Sequence, residues 1–263
     1  MKLLVDGQEA YAYTGGKPFD PALPCIVFVH GAINDHSVWT LLARWAAHHG
    51  HSVLAVDLPG HGRSAGLPLT RVEDLGAWLH RLMDAAGVAQ ATLVGHSMGS
   101  LIALEAAERA STLVMVGTAY PMAVSEALLT AARDRPEAAM ALVTAFSHRH
   151  SAAKPSFPGP GAWLPGGGMA LMRRLQARQT AVNLFENDFL VCNRYAGGEA
   201  AAARVRCPTH FILGAQDQMT LPRNNTVLAG RLKPTVHTVA AGHTLMAEAP
   251  DAVLAALRLA LSS

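Results

Sequence analysis

Short apolar runs rich in β-branched residues alternate along this chain with segments of helical periodicity. One run is CIVFVHGA, at residues 25–32, and another is SVLAVD, which begins at Ser52. Runs that are apolar on both faces are typical of strands buried inside a parallel sheet. Between these runs, Trp39 and Leu42 recur at helical spacing. The alternation predicts an α/β fold, a mostly parallel sheet with helices on both faces.

The alternation lapses between about residues 120 and 203, where the sequence is helical in character. This part also holds a break rich in glycine and proline, from Lys154 to Gly168, that we expect to act as a lid loop. Strand and helix alternate again from THFILGAQD onward. We therefore predict a core domain of residues 1–119 and 204–263, and a helical cap inserted at residues 120–203.

Two helix starts are indicated by the sequence. Thr70 and Glu73 have the spacing of a capping box, which predicts that a helix opens there. The last helix is expected to begin at about Pro250. Leu254, Leu257 and Leu261 would then share one apolar face.

Composition excludes several classes of protein. The 263 residues are 51% hydrophobic and 15% charged, which is enough to build a large core, and the net charge of +2 gives no electrostatic case for nucleic acid. No apolar stretch approaches the roughly 18 residues of a membrane span, and the first residues lack a signal-peptide core. The three cysteines form no C-x-x-C pair and are expected to be reduced core residues. We expect a cytoplasmic protein.

The segment GHSMG, at residues 95–99, fits the G-x-S-x-G pattern between an apolar run and a helical segment. In that context the glycines permit a strained turn that presents the hydroxyl of Ser97 above the sheet edge. The alternative is a tight strand-to-helix turn that happens to contain serine. We predict that Ser97 is a nucleophile.

A serine nucleophile needs a base, and the base needs a carboxylate that orients it. His243 follows the last predicted strand, at the sheet edge where functional residues gather. Asp217 follows the preceding strand and is the acid placed at that edge, with Asp188 in the cap as its nearest rival. Their structural alternatives are a loop histidine and a helix N-terminal aspartate.

The reaction also needs two donors for the developing oxyanion. The backbone N–H of Met98, next to the nucleophile, is one candidate. Ala32, in the loop after VFVH, is the other candidate, with Ile33 as the fallback.

Four blocks occur in a characteristic order: VFVHGAINDHSVW, VLAVDLPGHGRS, LVGHSMGSLIAL, and the pair ILGAQDQM and AGHTLMAEAP. With these blocks the chain resembles the α/β-hydrolase superfamily over nearly its whole length, and in particular its serine-nucleophile, cap-bearing, esterase-like members. The resemblance implies an eight-stranded sheet with a helical cap after the sixth strand. By family rule, serine at position 97 excludes the dehalogenase and epoxide hydrolase branches, which use aspartate there.

We expect a serine hydrolase that cleaves the carboxylic ester of a small, largely apolar substrate through an acyl-enzyme, without metal or organic cofactor. Thioester, lactone, C–C bond and perhydrolysis activities use the same machinery and remain alternatives. A ligand receptor without turnover is the alternative from a different class. The expected partner is a small ester-like molecule, and the chain is expected to be a monomer or a homodimer.

Overall fold

The computed structural model of the chain describes residues 1–149 and 163–262. In that part of the chain, eight strands form one sheet. The strands are β1 (Lys2–Val5), β2 (Gln8–Tyr13), β3 (Cys25–Val29), β4 (Ser52–Val56), β5 (Ala91–His96), β6 (Ala110–Val116), β7 (Thr209–Gly214) and β8 (Thr235–Val239).

The order of the strands across the sheet is β1-β2-β4-β3-β5-β6-β7-β8. β2 pairs antiparallel with both β1 and β4, and the remaining neighbours pair in parallel. In register, Val29 of β3 lies beside Gly95 of β5, and Gly95 lies beside Met115 of β6. The prediction of a mostly parallel, eight-stranded sheet is confirmed.

Helices surround this sheet. They are α1 (Thr40–His48), α2 (Val72–Ala85), α3 (Met98–Glu105), α4 (Glu126–Asp134), α5 (Pro136–Ser147), α6 (Leu164–Arg178), α7 (Leu184–Arg194), α8 (Gly198–Arg204), α9 (Thr226–Leu232), α10 (Leu245–Glu248) and α11 (Pro250–Leu261). None of the helices in the described residues is long and apolar enough to cross a membrane.

Successive side chains of each central strand enter two different apolar cores. Ile26 and Phe28 of β3 pack with residues of α1 and α11 on one face. Val27 and Val29 pack with residues of α2 and α3 on the other face. A strand that is apolar at every position therefore buries both of its faces, which explains the uninterrupted CIVFV run. Full burial of a side chain such as Phe28 stabilises the fold by about 1.5–3 kcal/mol.

Helices α4 to α8 lie between β6 and β7, which is where the helical insertion was predicted. Side chains of α4 to α7 form a third apolar cluster around Phe185 and Phe189, which Ile33 from the core also enters. Ala201 and Ala202 of α8 pack instead in the cluster that contains α2 and α3. The exact domain limits stay a prediction.

Two local predictions need correction. The predicted lid loop from Lys154 to Gly168 lies mostly outside the described residues, and its last part, from Leu164, is the first turn of α6. Pro165 suits that turn because it needs no hydrogen-bond donor there. The predicted capping box is also wrong. α2 starts after Arg71, which has extended backbone and gives no side-chain cap, and Glu73 pairs with Arg71 at 3.4 Å.

All three cysteines are free, as expected from the sequence. Cys25 and Cys192 are buried and Cys207 is partly buried. Burial raises the pKa of the Cys25 thiol to about 12 and raises that of Cys192 further. At neutral pH these two groups therefore behave as small apolar side chains.

Candidate active site

Ser97 occupies the turn between the end of β5 and the start of α3. Its backbone has φ +52° and ψ −122°, a conformation that costs a residue other than glycine on the order of 1–3 kcal/mol. The turn is held from both sides, because the Ser97 N–H donates to the carbonyl of Val116 at 2.9 Å and its carbonyl accepts from the Ser100 hydroxyl at 2.6 Å. The surrounding structure thus maintains a strained serine at the carboxyl edge of the sheet.

Gly95 and Gly99 leave no room for a side chain. A Cβ at Gly95 would lie 2.1 Å from the carbonyl oxygen of Gly99, and a Cβ at Gly99 would lie 2.3 Å from that of Val29. Both contacts are with backbone, which cannot move aside as a flexible side chain can. The two glycines of the pattern therefore serve close backbone approach around Ser97.

Replacing Gly95 with alanine is expected to lower the free energy of unfolding by about 1–3 kcal/mol, because the added methyl overpacks the turn. Urea unfolding measures this loss. Gly230→Ala is the matched control, since a Cβ there meets nothing within 4 Å and alanine favours the helix. Equal stability of the two variants would show that the turn accommodates a side chain.

Asp217 and His243 follow β7 and β8 and form a buried pair. The ring Nδ1 of His243 lies 2.8 Å from Asp217 Oδ2. Thr220 donates its hydroxyl to the same oxygen at 2.7 Å, and the N–H groups of Met219 and Thr220 donate to Oδ1 at 2.8 Å. Because a carboxylate only accepts, Nδ1 of His243 carries the proton and Nε2 is left with its lone pair.

The charge of Asp217 is maintained despite its burial. Burial alone would raise the pKa of this carboxyl, but the electrostatic influence of His243, the hydrogen bond from its ring and the donors of Thr220 together hold the pKa below its ordinary value. A charged carboxylate at Nδ1 fixes the tautomer of His243 and stabilises its protonated form.

The backbone of His243 is held by two other segments. Its N–H donates to the carbonyl of Ser147, at the end of α5, at 2.7 Å. Its carbonyl accepts from Nε2 of His96 at 2.9 Å. Burial, and after it the electrostatic influence of the neighbouring His243, lower the pKa of His96 to about 3, so that this ring stays neutral. His96 therefore orients the loop after β8, which carries His243, rather than acting on Ser97.

The loop after β3 passes directly beside Ser97. A Cβ at Gly31 would lie 3.0 Å from Cβ of Ser97, so only glycine lets the loop come this close. Ala32 follows Gly31 in this loop, and Met98, next to Ser97, begins α3, where the first N–H groups lack partners within the helix. The fallback donor Ile33 is wrong, because its N–H already donates to Asp188 Oδ2 at 2.8 Å.

Asp188 is not the carboxylate of His243, although sequence alone left it as a rival. It lies on α7 and pairs with Nε2 of His61 at 2.9 Å. His61 belongs to the loop after β4. The described residues therefore contain two buried aspartate–histidine pairs near one edge of the sheet, Asp217 with His243 and Asp188 with His61.

A cavity of about 520 Å³ opens at this edge, and both Ser97 and His243 line it. Most of the residues that line it belong to the insertion, and many of these carry apolar side chains. These include Met122, Val124, Leu128, Leu142, Val143, Met172 and Phe189. Among the described residues that line the cavity there is no lysine, arginine, aspartate or glutamate. The wall suits an uncharged, largely apolar molecule.

Asp35, His36 and Asp57 place their ligand atoms within 4.8 Å of one another, a spacing that could hold a metal ion. These atoms already bind donors of the protein. Asp57 Oδ1 accepts from Nδ1 of His36 at 2.7 Å, and Asp35 accepts from the N–H of Ser37 and from Arg174, both at 2.9 Å. The cluster ties together the loops that follow β3 and β4.

Other histidines lie away from Ser97 or outside the described residues. His210 and His237 are on β7 and β8, where their rings stack with centroids 5.5 Å apart. His148 follows α5 and lines the cavity, a position that sequence did not indicate. His150 lies outside the described residues.

One part of this chain is similar to a curated relative. Over 90 residues it is 37% identical to the 2-succinyl-6-hydroxy-2,4-cyclohexadiene-1-carboxylate synthase of Salmonella paratyphi C (strain RKS4594), a match that covers 34% of this chain and 35% of that protein. The chain thus matches about a third of the length of the curated relatives.

Two solved structures share the whole architecture. The enol-lactonase from Burkholderia xenovorans LB400 superposes with a TM-score of 0.83 at 20% identity and 100% coverage of both chains. An esterase from Exiguobacterium antarcticum superposes with a TM-score of 0.81 at 15% identity, covering 100% of this chain and 99% of the other. At these identities the likeness concerns the fold alone.

The profile of one protein family matches most of the chain. The match runs from residue 26 to residue 256, and so includes the Ser97 turn, the Asp217 loop and the His243 loop. The chain belongs to the alpha/beta hydrolase family.

Proposed function

We propose that this hydrolase is a serine esterase that cleaves an uncharged carboxylic ester through an acyl-enzyme intermediate. One observation carries the proposal. His243, which is hydrogen-bonded to Asp217, lines the same cavity as Ser97, and Ser97 is held in a strained turn. These are the three groups that acyl transfer by a serine requires, in the chain order typical of this fold.

In the first half-reaction, Oγ of Ser97 attacks the ester carbonyl carbon while Nε2 of His243 accepts the hydroxyl proton. The N–H groups of Ala32 and Met98 hold the carbonyl oxygen as its negative charge develops. The C–O bond to the alcohol then breaks, and His243 returns the proton to the departing oxygen. In the second half-reaction, water attacks the acyl group and Ser97 is regenerated.

The cavity supports an uncharged acyl group in particular. A carboxylate on the substrate would need a lysine or arginine, and none lines the cavity among the described residues. The synthase with partial similarity is named for a carboxylate product. An uncharged ester, or a lactone of similar shape, therefore suits this chain better than the compound in that name.

Two esters of equal acyl length test whether the cavity selects a neutral acyl group over a charged one. They are p-nitrophenyl hexanoate and its analogue with a carboxylate at the end of the acyl chain. We expect kcat/KM to be at least about 100-fold lower for the analogue, because an unpaired charge costs several kcal/mol on burial and each 1.4 kcal/mol is a factor of ten. Steady-state release of p-nitrophenol measures both rates.

The outcomes separate the alternatives. A charged ester that is cleaved as well as the neutral one contradicts the proposed substrate class. Tight binding of neutral esters without release of product points to a receptor. A further outcome is faster turnover of a matched thioester, lactone, C–C substrate or peracid-forming reaction than of the ester. That result would change the proposed type of bond that is cleaved, while the proposed catalytic groups would stay the same.

A further inference from the structure

A single oxygen atom of Asp188 joins three segments that are distant in the sequence. Oδ2 accepts a hydrogen bond from the backbone N–H of Ile33, in the loop after β3, at 2.8 Å. It also accepts from Nε2 of His61, in the loop after β4, at 2.9 Å. Asp188 itself lies on α7 in the insertion, and only 1% of its surface is exposed. The insertion is thus bonded directly to the loop that runs beside Ser97.

The hydrogen bonds of His61 require a positively charged ring. Its Nδ1 lies 3.0 Å from the carbonyl oxygen of Pro59, which only accepts. Its Nε2 faces the carboxylate of Asp188, whose Oδ2 already accepts from Ile33. Both ring nitrogens therefore carry protons, and the contact with Asp188 is a buried ion pair.

The surroundings of this pair are consistent with its charges. Burial lowers the pKa of His61, but the charges of Asp188 and Asp57 and the hydrogen bonds outweigh burial and raise it above the ordinary value. The other titratable groups that face the pair are His30, whose ring lies 5.1 Å from that of His61, and Cys192. Burial and the charge of His61 lower the pKa of His30 to about 4, so His30 stays neutral at pH 7.

The bond to Ile33 matters because of where this residue lies. Ile33 is buried and has φ +55°, which is strained for a β-branched residue. Without an acceptor its N–H would be buried and unsatisfied, at a cost of about 1–3 kcal/mol. This cost would favour a different backbone conformation of the loop, in which the N–H finds another partner. Any such change would also move Ala32, the adjoining residue, whose N–H is the proposed oxyanion donor.

We propose that Asp188, on the insertion, is a positioning residue. By binding the N–H of Ile33, it holds the loop after β3, which carries the proposed oxyanion donor Ala32, in its working geometry. This inference rests on the proposed function and extends it. The same helix contributes Phe189 and Cys192 to the cavity wall. The wall that contacts the substrate and the loop that stabilises the transition state are therefore connected through one carboxylate.

The test uses an alkyl fluorophosphonate, which needs no knowledge of the natural substrate. Ser97 Oγ forms a bond to phosphorus, fluoride leaves, His243 takes the hydroxyl proton, and the phosphoryl oxygen occupies the oxyanion site. We expect Asp188→Asn to lower the maximal labelling rate kinact by about 10- to 100-fold, because one amide oxygen cannot replace the charged acceptor. The half-saturating concentration KI should change less than about threefold, since the loop acts on the transition state.

Glu186→Gln is the matched control, because it makes the same carboxylate-to-amide change on α7 away from the cavity. We expect its kinact to equal that of the wild type. His61→Gln is a second variant that leaves Asp188 without its charged partner, and it should lower kinact in the same direction. A merely structural role would lower the melting temperature without changing kinact of the folded fraction.

The possible results are distinct. Values of kinact for Asp188→Asn and His61→Gln within threefold of the wild type overturn the inference and leave the esterase proposal intact. A wild-type chain that is not labelled at Ser97 overturns the esterase proposal, and the inference with it. Loss of kinact in both variants, with unchanged labelling of Glu186→Gln, supports the positioning role.

Discussion

Replacing Ser97 with alanine is expected to lower kcat for ester hydrolysis by about 10⁶-fold, since the nucleophile of a triad acts as one unit with its base. Alanine keeps the backbone turn, so the free energy of unfolding should change by less than about 1 kcal/mol. Initial rates with p-nitrophenyl hexanoate and urea unfolding of the same preparation measure the two quantities together.

Ser111→Ala is the control for this change, because Ser111 is an exposed serine on β6, remote from the cavity. It should retain wild-type kcat. Residual activity of Ser97→Ala above a few per cent would assign the nucleophile to another group. Unfolding of the variant under assay conditions is detected by the urea curve and would show a structural role for the hydroxyl.

The second large effect is expected for Asp217→Asn, which should lower kcat by about 10⁴-fold with little change in KM. In the variant, the amide oxygen can serve the N–H groups of Met219 and Thr220, which bind Oδ1 in the wild type. The amide NH₂ then faces Nδ1 of His243. Two donors cannot face each other, so His243 takes the tautomer with its proton on Nε2 and cannot accept the proton of Ser97.

This prediction has its own control and a clear contrary result. Asp251→Asn makes the same change at an exposed position in the first turn of α11, and it should leave kcat unaltered. A rate for Asp217→Asn within about tenfold of the wild type would mean that another group orients His243. Near-normal kcat with a raised KM would assign Asp217 to substrate binding instead.

The sequence allowed a prediction of neighbouring side chains where polar residues closely follow the end of a strand. Ser97 comes directly after β5, Asp217 comes three residues after β7, and His243 comes four residues after β8. Because parallel strands end at one edge of the sheet, their order in the chain was enough to bring these residues together. The helix from Pro250 was likewise predicted from its apolar face.

The two strands at one side of the sheet, β1 and β2, were harder to predict from the sequence. The hairpin of β1 and β2 was not identified as a pair of strands, because its residues are partly exposed and lack a continuous apolar run. The dipeptide of Asp6 and Gly7, with φ +51° and +75°, forms its turn. An aspartate–glycine pair between two short strands is a recognised hairpin signal and could have been used.

The role of Asp188 had no local signal at all. Its bond to Ile33 spans 155 residues of the chain, and its bond to His61 spans 127. Contacts of this kind arise when the insertion packs onto the core, and neither periodicity nor motif spacing encodes them. For this reason sequence left Ile33 as a fallback donor, although its N–H is already bonded.

Trapping of the intermediate tests the central claim most directly. The protein is mixed with p-nitrophenyl hexanoate, quenched with acid within the burst of nitrophenol release, digested and examined by mass spectrometry. We expect one hexanoyl group on the peptide that contains Ser97, in an amount equal to the burst, and none on that peptide in Ser97→Ala. Release of nitrophenol with no acyl group on Ser97, or with the acyl group on another residue, would contradict it.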